Sequence, residues 1–143
     1  MKSKKKPKVS IIIRTKNEEK YIRNCLEKIK QQNYKNLEIV IVDNYSTDLT
    51  VKKALQFTSK VIKIKNFTPG KAINKGIKIA KGNIIVVLSA HCVPVNNFWL
   101  DNQIKDLKDK KVAGVYGRQE PMKYTSDLDK RDLLTIFGLD KKV

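Results

Sequence analysis

Residues 84–94 read Ile84-Ile85-Val86-Val87-Leu88-Ser89-Ala90-His91-Cys92-Val93-Pro94. The first five residues are apolar and four of them are β-branched, which is typical of a strand buried on both faces in the middle of a parallel sheet. Polar side chains follow at Ser89 and His91, where the strand should end. Because open α/β sheets bind their ligands at the carboxyl ends of central strands, we expect chemistry at this point.

Other strands with a similar layout are predicted along the chain. The runs at residues 9–14 and 37–42 are also apolar and are also followed by polar clusters. The run at residues 61–64 alternates more weakly, which suits an outer strand. A fifth strand is predicted over residues 112–116.

Segments with helical spacing of apolar residues separate these strands. Asn17 is expected to cap the first helix, which should bury Cys25 as inert packing. Ser46 or Thr47 is expected to cap the second helix. Further helices are predicted over residues 71–81, 97–108 and 127–137.

The alternation of strands and helices favours βαβ units with right-handed crossovers. The predicted fold class is therefore α/β, a three-layer, mostly parallel sheet with flanking helices. We divide the chain into a basic tail at residues 1–8, an α/β domain at residues 9–117 and a C-terminal extension with one helix at residues 118–143.

The formal net charge is +17, and five of the lysines precede Val9. This charge favours phosphate-bearing partners, either nucleotides or an anionic membrane surface that the lysine-rich tail would contact peripherally. A general lysine bias of the proteome would give the same charge. Nucleic acid is not an expected partner, because no helix-turn-helix, zinc-finger or aromatic RNA-binding pattern is present. Without a secretory leader or a long apolar run, we expect a cytoplasmic location, with the inner face of the membrane as the alternative.

Three polar clusters should meet at one edge of the sheet, because the carboxyl ends of parallel strands share an edge. They lie at residues 14–18, 43–48 and 89–92. A polar turn after a strand is often only a helix cap, so the clusters count mainly as a set. Neither a G-x-G-x-x-G motif nor a P-loop is present, which disfavours a dinucleotide fold and a P-loop NTPase.

Taken in order, these segments resemble the nucleotide-sugar half of a family-2, GT-A glycosyltransferase, over Val9 to about Gly138. The resemblance implies a Rossmann-like fold that binds a UDP- or TDP-sugar at the strand ends, with the sugar passing to an acceptor hydroxyl. The segments that carry it are Val9-Ser10-Ile11-Ile12-Ile13-Arg14-Thr15-Lys16-Asn17-Glu18, Glu38-Ile39-Val40-Ile41-Val42-Asp43-Asn44-Tyr45-Ser46-Thr47-Asp48 and Asn74-Lys75-Gly76-Ile77-Lys78-Ile79-Ala80-Lys81-Gly82.

The resemblance also implies roles for single residues. Asp43 matches the acid that accepts a hydrogen bond from the nucleobase, which suits an acceptor-only carboxylate. A lysine near the start of the helix after the third strand would offset diphosphate charge, although a solvated helix face would look the same. The donor-binding residues implied in this way are Thr15, Glu18, Asp43, Lys71, Asn74, Lys75, Ser89 and His91.

One departure from the family lies at Ser89-Ala90-His91, where members normally carry an Asp-X-Asp that holds Mg²⁺ or Mn²⁺. Hard divalent ions prefer oxygen ligands, so Ser89 and His91 are a poorer match for Mg²⁺ or Mn²⁺ than the two carboxylates of the family motif. His91 is a candidate metal ligand or a hydrogen-bond donor to the diphosphate, and a purely structural role is the alternative. The change is similar to a family subgroup with Ser-Ala-His-Cys at this place.

A second departure is that the resemblance lacks the acceptor-binding half, which holds the general base. Asp127, Asp129 and Asp132 are interpreted as an exposed polar face, so the catalytic base is unknown. We therefore expect a glycosyltransferase domain that binds donor but transfers the sugar slowly or not at all unless a second chain completes its site. The expected protein partners are such a second chain or a second copy of this chain in a homodimer.

Two alternatives remain open at this stage. The chain could be a non-catalytic nucleotide-binding or dimerisation module derived from a glycosyltransferase. It could also be a hydrolase that uses His91 and Cys92, but adjacent residues of an extended segment point in opposite directions, which disfavours that pair.

Overall fold

A computed structural model describes residues 6–137 of the 143-residue chain. Strands and helices alternate through the first half of it. The strands are β1 (Val9–Thr15), β2 (Leu37–Asp43), β3 (Val61–Lys63) and β4 (Ile84–Ser89). The helices are α1 (Ile22–Lys30), α2 (Thr50–Ala54), α3 (Pro69–Ile79), α4 (Trp99–Ile104), a 3₁₀ turn (Asp106–Lys108) and α5 (Asp127–Phe137).

The four strands form one parallel sheet in the order β3-β2-β1-β4. Ile12 and Val40 belong to a buried cluster with Ala72 of α3, so one face of the sheet packs on that helix. Ile11 and Ile13, which point to the opposite face, are also fully buried. The predicted parallel α/β architecture with flanking helices is therefore confirmed.

The position of β4 in the sheet differs from the prediction. In the part of the chain that the structure describes, β4 pairs only with β1 and lies at an edge, and Val87 is 42% exposed. The expectation of a middle strand buried on both faces is wrong, because an apolar run reports low polarity and does not fix strand order. The central strands are β1 and β2, and the outer position of β3 is confirmed.

Residues 112–116 form no strand, and Tyr116 is 87% exposed. The expected caps also differ. Asn17 adopts a positive φ of 52° ahead of α1, which begins only at Ile22, and neither Ser46 nor Thr47 caps α2, whose N-cap is Leu49. Side-chain oxygens at these positions bind a neighbouring loop instead, as described below.

Helix α3 packs very closely on the sheet. Its first turn is capped by Thr68, whose hydroxyl accepts a hydrogen bond from the Lys71 N–H at 3.3 Å. A Cβ atom added at Gly76 would lie 2.5 Å from Ile12 Cγ2 and 3.2 Å from Val42 Cγ2. Glycine at this position therefore allows the helix to approach β1 and β2.

The described chain separates into two compact units, up to Asn102 and from Gln103. In the second unit, α5 spans the predicted residues and buries none of its side chains. The predicted boundary at residue 117 lies inside this unit and stays a prediction. Of the predicted basic tail, residues 1–5 lie outside the described residues. Within residues 6–137, no helix has the length and apolar character needed to cross a membrane.

Candidate functional site

The register of the sheet brings the three polar clusters to one edge. Thr15 pairs with Asp43 across β1 and β2, and Arg14 pairs with Ser89 across β1 and β4. On the other side, Asp43 pairs with Lys63 of β3. The carboxyl edge therefore carries, side by side, residues that are far apart in sequence.

Two loops at this edge are joined by a ladder of hydrogen bonds. The first loop follows β1 and the second follows β2. The Asn17 N–H donates to Ser46 Oγ at 2.9 Å, and the Thr47 N–H donates to Asn17 Oδ1 at 2.9 Å. The Glu18 N–H donates to Thr50 Oγ1 at 2.7 Å. These hydrogen bonds from the residues after β2 hold the backbone of Glu18 in place.

Asp43 is fully buried beneath the second loop. One of its carboxylate oxygens accepts a hydrogen bond from Ser46 Oγ at 2.5 Å, and the other accepts one from the Ser46 N–H at 3.0 Å. The carboxylate thus holds the loop turn in place. Its proposed contact with a nucleobase stays a prediction, and it would use the lone pairs that Ser46 leaves free.

Thr15 is 4% exposed, and its hydroxyl has no hydrogen-bond partner within the described residues. Burying a polar group without a partner costs about 1–3 kcal/mol. The hydroxyl belongs to the last residue of β1, which pairs with Asp43 of β2. The role of Thr15 in ligand binding stays a prediction.

Glu18 and His91 form a pair that joins the first loop to the segment after β4. His91 Nδ1 lies 2.8 Å from Glu18 Oε1, and the side chains are 58% and 19% exposed, respectively. A carboxylate only accepts hydrogen bonds, so Nδ1 carries the shared proton. The Nε2 atom of the half-exposed imidazole is then left to face a ligand, as an acceptor when the ring is neutral and as a donor when it is protonated.

Sequence reasoning missed Arg14 as a site residue. Its guanidinium Nη2 donates to Ser89 Oγ at 3.1 Å, while its Nε is buried and has no partner within residues 6–137. The available signal was a cation placed at the end of an otherwise apolar strand, in the same cluster as Thr15.

A basic cleft opens beside the same edge, with a volume of about 720 Å³. The predicted residues Lys71, Asn74 and Lys75 come together here on α3. Four further polar residues of the cleft were not predicted. The basic cleft is lined by Tyr45, Lys63, Ile64, Lys65, Lys71, Asn74, Lys75 and Lys78.

The charge of the basic cleft is one-sided, since its lining has five lysines and no carboxylate. Lys63 Nζ lies 5.5 Å from the centre of the Tyr45 ring, and Lys75 Nζ donates to the Lys63 carbonyl at 2.5 Å. The convergence of like charges favours an anionic ligand over a merely solvated helix face. Lysine would bind such a ligand as a point charge.

Burial disfavours the thiolate form of both cysteines. Burial raises the pKa of the Cys25 thiol to about 12. Burial also raises the pKa of Cys92, although the Ser89 backbone hydrogen bond and the charge of Arg14 oppose the shift. Within residues 6–137 no hydrogen bond joins Cys92 to His91, and the raised pKa of Cys92 disfavours its thiolate, so this geometry gives no support to a Cys92–His91 hydrolase pair.

The fit of a divalent metal can be judged from the available donors. The described residues contain no group of three or more His, Cys, Asp and Glu side chains that could hold an ion. At Ser89-Ala90-His91 the donors are a hydroxyl that accepts from Arg14 and an imidazole that faces Glu18. This set does not fit a resident Mg²⁺ or Mn²⁺, which prefer several oxygen ligands.

Comparisons with known proteins agree on one family. The family model for glycosyl transferase family 2 matches residues 10–141. A dolichyl N-acetyl-alpha-D-glucosaminyl phosphate 3-beta-D-2,3-diacetamido-2,3-dideoxy-beta-D-glucuronosyltransferase from Methanococcus voltae is 42% identical over 123 residues, which cover 76% of this chain and 38% of that protein.

Two solved structures show the same fold. A mannosyltransferase from Pyrobaculum calidifontis, in complex with GDP-Man and Mn²⁺, is 26% identical to this chain, with a TM-score of 0.68. The match covers 92% of this chain and 39% of the mannosyltransferase chain. S. aureus TarS 1-349, in complex with UDP-GlcNAc, is 27% identical to this chain, with a TM-score of 0.64. The match covers 80% of this chain and 37% of the TarS chain. The chain thus spans about two-fifths of the length of these proteins.

Proposed function

Since this chain belongs to glycosyl transferase family 2, we propose that it binds a nucleotide-diphosphate sugar and supplies the donor side of a glycosyl transfer to an acceptor hydroxyl. The observation that carries the proposal is the convergence at one sheet edge. Thr15, Asp43 and Ser89 lie side by side there, next to a cleft lined by five lysines. A cleft of this charge suits a diphosphate and its activated sugar.

Each group of side chains has a part in this proposal. The basic cleft, with Lys71 and Lys75, offsets the negative charge of the nucleotide. Thr15 and Asp43 lie on the nucleoside side, and the Asp43 carboxylate, which is fully buried beneath the second loop, accepts from the base once that loop moves aside. Ser89 and His91 lie at the end of β4, on the diphosphate side, together with Glu18, which orients the imidazole.

The transfer forms a bond between the acceptor oxygen and the anomeric carbon and breaks the bond from that carbon to the diphosphate, which leaves with the electron pair. The acceptor proton must pass to a base. Asp127, Asp129 and Asp132 of α5 each bind a local partner, Lys130, Ser126 and Arg131, respectively. We assign no base to them, and a second chain or further residues would have to supply it.

The class of donor is supported by the two solved structures, which contain GDP-Man and UDP-GlcNAc. A purine nucleotide therefore belongs in the ligand panel beside the predicted UDP- and TDP-sugars. The mannosyltransferase is in complex with Mn²⁺ as well as GDP-Man, so Mn²⁺ also belongs among the ligands tested. The donors of this chain do not fit a divalent ion by themselves, so no step is assigned to a metal.

The test is a thermal-shift screen of UDP-, GDP- and TDP-sugars. We expect one nucleotide class to raise the melting temperature of the wild-type chain. A Lys71→Ala/Lys75→Ala double variant should weaken binding of that nucleotide about 10-fold, because two charge-assisted contacts to phosphate are removed. Binding affinity is measured by isothermal titration calorimetry.

The matched control is Lys52→Ala, which removes an exposed lysine from α2 outside the basic cleft. This variant should bind like the wild-type chain. Equal losses in the control and the double variant would contradict a specific role of the cleft. Nucleotide binding without any transfer, in a chain that sediments as a dimer, would instead favour the non-catalytic module.

A further inference from the structure

Arg14 is the most unusual charged residue of the sheet. It is the sixth residue of β1, a central strand whose other six residues are buried. No ion pair joins its guanidinium to a carboxylate anywhere in residues 6–137. A cation placed here without a counter-ion costs free energy, because desolvating a charge is expensive unless the charge is paired.

The guanidinium is nevertheless held in a defined place. Nη2 donates to Ser89 Oγ at 3.1 Å, and Ser89 is the β4 residue in register with Arg14. Within the described chain the N–H groups of Nη1 have no partner, and the Nε, which is buried, has none either. An arginine fork of this kind matches the paired oxygens of a phosphate group.

The location adds a second argument. Ser89 and His91 occupy the segment at which the donor's diphosphate is proposed to bind, and their side chains do not fit a resident metal ion. The hydrogen bond from Nη2 to Ser89 Oγ holds the positive charge of Arg14 at this segment. A fixed positive charge therefore lies where the diphosphate needs one.

We infer that Arg14, positioned by Ser89, binds the diphosphate of the donor and supplies there the positive charge that a divalent cation would otherwise provide. This inference rests on the proposed function. As the bond to the sugar breaks, the leaving diphosphate gains negative charge, which the guanidinium stabilises through hydrogen bonds that it already directs at the phosphate.

The experiment compares diphosphates with nucleosides by isothermal titration calorimetry, in EDTA and in Mn²⁺. The ligands are UDP, GDP and TDP together with uridine, guanosine and thymidine. The wild-type chain should bind its preferred diphosphate in EDTA within about twofold of its affinity in Mn²⁺. Arg14→Gln should weaken that diphosphate about 10- to 100-fold and the matching nucleoside less than about twofold.

Arg23→Gln is the matched control, because Arg23 is an exposed arginine of α1 and should leave both affinities unchanged. Ser89→Ala keeps the charge of Arg14 but removes the hydrogen bond that positions its guanidinium. The variant should bind the diphosphate about 3- to 10-fold more weakly and leave the affinity for the nucleoside unchanged. It also keeps the inference testable if circular dichroism shows that Arg14→Gln does not fold.

Two results would overturn the inference. One is a folded Arg14→Gln chain, or a Ser89→Ala chain, with wild-type affinity for the diphosphate. The other is diphosphate binding that appears only with Mn²⁺. In either case the proposed function survives, because the nucleotide still binds. If the wild-type chain binds none of the diphosphates under either condition, the proposed function fails as well.

Discussion

Glu38 shows how a single side chain can tie several strands together at the edge opposite the site. Its Oε1 accepts from Ser10 Oγ of β1 at 2.5 Å and from the Lys81 N–H ahead of β4 at 2.5 Å. Its Oε2 lies 2.7 Å from Lys60 Nζ and 2.9 Å from Lys8 Nζ. Burial alone would raise the pKa of Glu38, but the hydrogen bonds from Lys60, Ser10, Lys81 and Lys8 outweigh it and hold the pKa well below its usual range.

We predict that Glu38→Gln lowers the free energy of unfolding by about 2–4 kcal/mol at pH 7, because it leaves two lysines without their partly buried counter-charge. Since the folded pKa is depressed, the stabilisation is present above the ordinary pKa of glutamate and is lost as the pH falls towards the folded value. Urea unfolding at pH 7 and at about pH 3 measures this. The difference in unfolding free energy between wild type and Glu38→Gln should be smaller at the lower pH. The control Glu27→Gln, at an exposed side chain of α1, should change the unfolding free energy little at either pH.

At the scale of residues, the sequence predicts which side chains meet but not what they bind. Strand register follows from parallel pairing, so the meeting of Thr15, Asp43 and Ser89 was predictable. The bonds of Asp43 to Ser46 were not, because they depend on a loop in which Tyr45 has a φ of 52°. The role of Arg14 needed the Ser89 contact to become visible.

The helices and strands were predicted best where the pattern of apolar residues reflects local backbone structure alone. Helix α5 matches its predicted span, and β1 and β2 differ from theirs by a single residue at one end. The misplacement of β4 and the strand wrongly predicted at residues 112–116 share one reason. Apolar and β-branched residues predict an extended, buried segment, but neighbours in the sheet decide its place and whether it pairs at all.

Helix α3 carries Lys71 and Lys75 of the basic cleft and contacts the sheet through Gly76. A substitution at Gly76 therefore tests how the packing of the helix affects the cleft. Gly76→Ala should lower the free energy of unfolding by about 1–3 kcal/mol, since the new methyl group collides with Ile12 and the helix must move. Displacing α3 should also weaken nucleotide binding. Chemical denaturation and calorimetry measure the two effects.

Gly70→Ala is the control on the same helix, because an added Cβ atom at Gly70 meets nothing within 4 Å. Removing backbone freedom there should leave stability unchanged or raise it by up to about 1 kcal/mol. If both variants were destabilised alike, loss of glycine itself, and not the close packing of α3, would be the cause.

At the scale of the whole molecule, the excess of positive charge becomes a binding property only where lysines converge. The net charge of +17 did not indicate a location, because lysine is spread along the entire sequence. The fold gathers five lysines from β3, the loop after it and α3 around one cleft. Such a concentration of charge attracts anions through a field that salt screens.

Nucleotide affinity should therefore depend on ionic strength. We expect the affinity for the preferred nucleoside diphosphate to fall about 10-fold between about 50 mM and 500 mM NaCl, because the Debye length shortens severalfold. Affinity for the matching nucleoside should hardly change. Titration calorimetry across the salt series measures both, and a nucleoside that weakened as much as its diphosphate would show that the lysines do not act on phosphate.

The ladder between the two loops makes the ends of the site mechanically interdependent. Ser46 binds both Asp43 and the backbone of Asn17, and the residue after Asn17 is the glutamate that orients His91. A base that drew Ser46 away from Asp43 would loosen the anchor of that glutamate, and so would be felt at the imidazole. Binding of the base and binding of the phosphates would then be thermodynamically linked, so that each would change the affinity for the other by the same factor.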